Sequence, residues 1–293
     1  MDEPANDPVP PPPNDAVPAE WRDPHLPTVF AKWHPSLVAL QRATIEAVIA
    51  AAGVQPGFAV VDVGCGSGIP ALALAEVVGP AGRVAATDPS PVFVAAVAAN
   101  ARRLGLANLN AVEASAAGLP FAPATFDAAT CHMGAMFFAD AGAGLARIRA
   151  VLRPGGRAAF VAWGGDVGNA FFASFWGAAR PHLPLDPTTD GGAAPEPDAP
   201  GPMRYAAPGS LSGALRAAGY RDIHEETRTV DLVWPGPAET LRDFWLELTR
   251  LEAKVPPDRR EAFRADVLAS LRRHAEGDAI RLPAPVVVAT GRA

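Results

Sequence analysis

Cysteine is nearly missing from this 293-residue chain: there are two, Cys65 and Cys131, in no C-x-x-C or other ligand-type spacing. A disulfide framework and a zinc-ribbon type of site are thereby excluded, and both residues, at expected strand ends, read as small core residues in a reducing compartment. Basic charge is also short, with 25 Lys and Arg against 31 Asp and Glu, a net charge of −6. No Lys/Arg cluster has the density that a phosphate backbone requires, which argues against a nucleic-acid partner. No apolar run approaches the ~20 residues of a membrane helix, and residues 1–20 have neither the basic start nor the apolar centre of a secretory leader. A cytoplasmic chain without membrane partners is expected. The six histidines and the carboxylates show no ligand spacing, so no metal is expected.

What the chain does have is 49% hydrophobic residues, enough for a full core in one elaborated domain. Residues 59–68 read A-V-V-D-V-G-C-G-S-G. Five residues, apolar apart from Asp62, suit a buried parallel strand, and Gly64, Gly66 and Gly68 let the backbone turn sharply and approach a ligand. The apolar stretch 69–78 reads as a helix whose N-terminus points at that ligand, as a nucleotide-like group requires. A dinucleotide loop wants G-x-G-x-x-G, but Ile69 stands where its third glycine would be. Asp88 ends a second strand, 83–87, twenty residues after Gly68, where a carboxylate can accept both hydroxyls of a ribose.

The G-x-G-x-G loop with its preceding acid and Asp88 resembles the corresponding motifs of class I S-adenosylmethionine-dependent methyltransferases. The resemblance covers about residues 54–163. Leu119-Pro120-Phe121, Thr125-Phe126-Asp127 and Leu152-Arg153-Pro154-Gly155-Gly156 follow in order and are similar to landmarks of the branch that includes ubiquinone/menaquinone-biosynthesis C-methyltransferases. S-adenosyl-L-methionine is the cofactor this implies, held by Asp62, Gly64, Cys65, Gly66, Gly68, Asp88, Pro89, Ser115, Ala116 and His132. One position departs from the family: Ser115 stands where an Asp usually meets the adenine amino group, and a hydroxyl accepts that bond without charge. The Asn/Asp-Pro-Pro-Tyr box of amino-methylating DNA enzymes is replaced by Thr130-Cys131-His132-Met133.

Alternation of strands at 59–63, 83–87, 109–112, 126–131 and 157–163 with helices at 69–78, 91–104 and 141–152 predicts an α/β fold, a doubly wound, mostly parallel seven-stranded sheet. Residues 1–20 are proline-rich and acidic and are expected to form a disordered tail. Cap helices over 21–53 follow, with a helix over 28–52 broken by Pro35, then the cofactor-binding core over 54–163. A cap insertion over 164–207 contains a loop over 181–202. Residues 208–230 return to the core with a strand over 220–230, 231–283 form a helical cap insertion, and 284–293 give the last strand.

Methyl transfer needs a base only where the acceptor carries a proton, and histidine is the usual one. His132, just past the fourth strand, is the first candidate, with a satisfied loop histidine as the plain alternative; His34, near Phe30 and Trp33, is a weaker one. Phe30, Trp33, Met133, Met136, Phe171 and Phe175 are candidate substrate-pocket walls, although Met and Phe are also ordinary core fillers. The function expected is O- or C-methylation of a small, largely apolar phenol, enol or quinone-like acceptor. The same fold also serves decarboxylation or cyclisation, and a binding protein without turnover is a third reading.

Overall fold

The structure, a computed structural model, describes residues 25–183 and 199–293; the tail over 1–20 and most of the loop over 181–202 lie outside them. Helices α1, His25–Leu40, and α2, Arg42–Ala52, come first. The chain runs helically through Pro35 and turns at Gln41, which corrects the break expected at Pro35. A proline inside a helix removes one backbone hydrogen bond, and here outside contacts offset it. Val29, Leu37 and Leu40 are buried, and Glu247 accepts from Lys32 Nζ and Trp33 Nε1, both at 2.8 Å.

The alternating core follows: β1 (Ala59–Val63), α3 (Ala71–Val78), β2 (Arg83–Asp88), α4 (Pro91–Leu104), β3 (Leu109–Glu113), β4 (Phe126–His132), α5 (Ala141–Val151) and β5 (Leu152–Trp163). Local chemistry sets these bounds. Ser90 accepts from the Phe93 amide and Pro91 supplies the first helical φ of α4, while Gly105 ends it in the left-handed conformation. Asp140 caps α5 through the Ala143 amide at 2.8 Å. The chain then passes through α6 (Ala170–Phe172), a π-helical turn (Ala173–Gly177), α7 (Ser210–Ala217), β6 (Arg221–Pro235), α8 (Ala238–Thr249), α9 (Arg260–Arg272), β7 (Ala275–Glu276) and β8 (Ala279–Arg292).

The sheet order among the described residues is β3-β2-β1-β4-β5-β8-β6, with the short β7 pairing β8. Strands β3 to β5 run parallel, and β8 runs antiparallel between β5 and β6. The doubly wound α/β sheet expected from the alternation is present, with β7 as an eighth strand. β6 and β8 are longer than the pattern suggested, the strand expected over 220–230 continuing to Pro235 and the last strand beginning at Ala279.

Successive residues of β1 face opposite layers. Val60 packs with Val48, Leu74, Val78 and Val97 from α2, α3 and α4, and Val61 packs with Leu145 and Ile148 of α5 on the other face. A third core, centred on Trp234, Phe244, Trp245, Phe263 and Leu282, joins α1 and α8 to the far end of the β6–β8 hairpin. The chain reverses its winding between β1 and β4, so a crevice opens at their carboxyl ends, where α/β sheets bind ligands.

Candidate active site

Strand β1 is buried at all five positions and delivers Gly64, Gly66 and Gly68 to that crevice with φ of 71°, 49° and 99°, values that L side chains rarely adopt. Gly64 and Cys65 amides donate to the Thr87 carbonyl at 2.8 and 2.9 Å. The Gly66 amide donates to Asp88 Oδ2 at 3.0 Å, and the Ser90 amide to Asp88 Oδ1 at 2.9 Å. Asp88 thus fixes the glycine loop with one acceptor site on each oxygen and keeps further lone pairs for a ligand. Burial pushes its carboxyl up to about 6.

A cavity of about 540 Å³ runs from this loop to the cap helices. Gly64, Cys65, Gly66, Asp88, Pro89, Ser115, Ala116 and His132 line it, and a Cβ built on Gly66 meets no atom within 4 Å. The loop therefore leaves a cradle that a side chain would fill, as a bound nucleoside requires. Gly68 lies behind the loop, where an added Cβ would come 3.1 Å from Leu72 Cγ. Asp62 is fully buried under the loop; its Oδ1 accepts from Thr130 Oγ1 at 2.6 Å and its Oδ2 has no protein partner. Burial pushes Asp62 to about 7. The Ser115 hydroxyl oxygen accepts from the Gly118 amide at 3.2 Å and keeps its proton for another acceptor. The Cys65 thiol is pushed well up by burial and is no nucleophile at neutral pH.

His132 ends β4 almost fully buried, its Nε2 2.8 Å from Thr44 Oγ1 of α2. Burial lowers it to about 4, so the ring is neutral at pH 7. Beyond it Met133 takes φ of 55°, a left-handed conformation costing about 1–2 kcal/mol in a non-glycine residue, and the chain turns so that Met133 and Met136 both line the cavity. Phe30 and Phe171 line it too. Trp33 does not: its ring packs on Trp234 and Phe244. Phe175 is buried in the cap core, stacked on Trp245 at 4.6 Å. His34 stands behind Ser67, Nδ1 to Oγ 3.3 Å, and burial lowers its pKa. The sequence reading missed Gln41, Trp163, Phe172, Trp176, Phe244 and Trp245 as cavity walls, and Thr44 as the partner of His132. No Lys or Arg is among the described lining residues.

Residues 60–156 match a family described as a methyltransferase domain. Over 248 residues, 81% of this chain and 86% of the other, the sequence is 33% identical to nocamycin O-methyltransferase of Saccharothrix syringae. The chain belongs to the class I S-adenosylmethionine-dependent methyltransferases. The methyltransferase is also 38% identical to a 2-phytyl-1,4-naphtoquinone methyltransferase of Synechococcus elongatus over 108 residues, 36% of this chain and 46% of that one. Among solved structures, the [4+2]-cyclase SpnF shares the enzyme's fold at a TM-score of 0.54 and 20% identity, covering 94% of this chain and 97% of its own. The enzyme's cofactor is S-adenosylmethionine, and the open cradle at Gly66 with the spare acceptor capacity of Asp88 fits it.

A ribose held by Asp88 would make cofactor affinity depend on pH. Only the charged carboxylate could accept both hydroxyl protons; below about 6 the cofactor-free enzyme holds it protonated, so binding through it would have to expel a proton. Cofactor affinity should fall as pH drops through 6, towards tenfold per pH unit, and level off above it. Asp88→Asn should bind more weakly by about 1.5–3 kcal/mol at pH 8, with a flatter profile. Calorimetry at pH 5, 6, 7 and 8 checks both; equal affinity of wild type at pH 5 and pH 8 would count against this role of Asp88.

Proposed function

We propose that the enzyme methylates the oxygen of a small, flat, largely apolar phenol or enol, with His132 as the base. The observation that carries this reading is the cavity itself. It is continuous from the glycine loop into an aromatic enclosure of Phe30, Trp163, Phe171, Phe172, Phe244 and Trp245, with the neutral His132 imidazole on its wall. Aromatic walls favour a planar acceptor through stacking and burial. The lack of lining cations among the described residues argues against phosphorylated or carboxylated acceptors, and the net charge of −6 against nucleic acid. The O-methyltransferase among the relatives supports oxygen over carbon.

Bound S-adenosylmethionine supplies an already activated methyl group. Gly64, Cys65, Gly66, Asp88, Pro89, Ser115 and Ala116 are the residues we assign to holding it, with Asp62 and Gly68 supporting the loop from below. The protein's task is then to orient the acceptor, exclude water and take one proton. His132 accepts the hydroxyl proton, which leaves the oxygen as the stronger nucleophile. We assign α2, which lies on the sheet face, 54–163, 208–235 and 279–293 to the core and its sheet, and α1, 236–278 and the described parts of 164–207 to caps over the acceptor. No helix of the described residues is long and apolar enough to cross a membrane, and the two buried free cysteines fit a reducing cytoplasm.

A screen of small phenols, enols and quinones for release of S-adenosylhomocysteine tests the reading. Turnover should favour flat hydroxylated aromatics or enolised diketones, and preference for amines or phosphorylated compounds would refute it. Turnover should also survive EDTA, since among the described residues no three His, Cys, Asp or Glu side chains cluster as metal ligands. Loss of activity with EDTA and recovery with magnesium would reveal a metal requirement that this mechanism lacks.

A further inference from the structure

A general base needs a lone pair facing its substrate, and a neutral imidazole has one on only one of its two nitrogens. Two distances decide which. Thr44 Oγ1 lies 2.7 Å from the Gln41 carbonyl oxygen. Two oxygens approach so closely only with a proton between them, and a carbonyl has none, so the Thr44 hydroxyl donates to Gln41. His132 Nε2 lies 2.8 Å from the same Thr44 oxygen. The hydroxyl's one proton is already committed, so the proton in this second bond belongs to Nε2. Burial keeps the ring neutral, and Nε2–H is then its only N–H. Nδ1 makes no bond to any described residue and is not among the sealed, unpartnered polar atoms, while His132 lines the cavity.

We propose that Thr44 is a positioning residue that fixes His132 as the Nε2–H tautomer and leaves the basic Nδ1 open to the acceptor. This rests on the reading of His132 as the base and adds to it the nitrogen that works and the residue that sets it. Thr44 is fully buried in the first turn of α2, and Gln41 is the residue that caps that helix, so both members of the relay belong to the N-terminal segment that lays α2 on the sheet. The base is therefore armed only while α2 is seated against β4. A threonine in a first helical turn commonly bonds back to the carbonyl three residues earlier; here that ordinary bond leaves the oxygen able only to accept.

The test is ¹⁵N NMR of the full chain labelled at histidine, in the presence of S-adenosylmethionine, with the His132 signals assigned by their loss in His132→Gln. Wild type should show a protonated, pyrrole-type Nε2 and a pyridine-type Nδ1. Thr44→Val, which keeps the shape and removes the hydroxyl, should shift the signals towards a tautomer mixture, and Thr44→Ser should restore them. With an acceptor found by the screen, Thr44→Val should lower kcat about tenfold or more at unchanged cofactor affinity, and Thr44→Ser should recover it. A pyridine-type Nε2 in wild type overturns the proposal, and this result needs no variant to fold. So do unchanged His132 signals in Thr44→Val, or equal loss of kcat in the Val and Ser variants. If instead the tautomer is as stated but His132→Gln keeps full kcat, the base reading fails and the tautomer assignment stands.

Discussion

Gly66→Val is expected to abolish measurable S-adenosylmethionine binding while leaving the fold intact. At φ of 49° a β-branched residue carries backbone strain of about 1–3 kcal/mol. An added Cβ finds no protein atom within 4 Å, so the protein can accommodate the side chain and the cradle cannot. Displacing the ligand from the centre of its site should weaken binding by at least about 1000-fold, roughly 4 kcal/mol. Gly66→Ala, with one carbon in the same space, should fall between the two. Calorimetry with a parallel thermal melt separates a blocked site from an unfolded one. A folded Gly66→Val enzyme with wild-type affinity would mean that the loop does not hold the cofactor.

His132→Ala carries the second large effect. Removing the proposed base should lower kcat by roughly 10²–10⁴-fold, with cofactor affinity nearly unchanged because the cradle is built from other residues. The substitution also opens space beside Thr44 and removes a buried hydrogen bond, at about 1–3 kcal/mol of stability, so rates must be compared well below the melting temperature. A raised KM at unchanged kcat would indicate that His132 only orients the acceptor. A folded variant with wild-type kcat and KM would remove it from the mechanism.

The parts that were legible in the sequence are those whose chemistry is local. Gly64, Gly66 and Gly68 announce themselves because their conformations exclude other residues, and Asp88 follows from the length of one strand–helix–strand unit. The cap was legible only as apolar segments. Phe171 and Phe175 are one helical turn apart, yet Phe171 lines the cavity and Phe175 stacks in the cap core; periodicity gives a buried face and cannot say which of two hollows it meets. Trp33 reads as a pocket residue until its indole is seen bonded to Glu247, 214 residues away. The Thr44–His132 pair, 88 residues apart, carries no motif at all.

The last strand expected over 284–293 falls short of β8, which begins at Ala279. Pro283 and Pro285 mark a strand as broken or at an edge, and the strand passes through both. β5 ends at Trp163, opposite Val286, and β7 pairs only Ala279 and Ile280 on that side, so between them, at Pro283 and Pro285, that side of β8 meets no strand among the described residues. The Pro285 carbonyl turns to that side, accepting from Gly164 at 2.9 Å, and the missing amides of Pro283 and Pro285 face the same way. On its other side β8 stays paired with β6 as far as Ala279.

The proposed reaction moves a methyl group from S-adenosylmethionine to an oxygen on a flat apolar acceptor. The most direct test is incubation of the enzyme with S-adenosylmethionine carrying a trideuterated methyl group and the best acceptor from the screen, followed by mass spectrometry and NMR of the product. One labelled methyl per product, bonded to oxygen, is expected, with one S-adenosylhomocysteine released for each. A decarboxylated or cyclised product without label, formed while the cofactor stays intact, would contradict it.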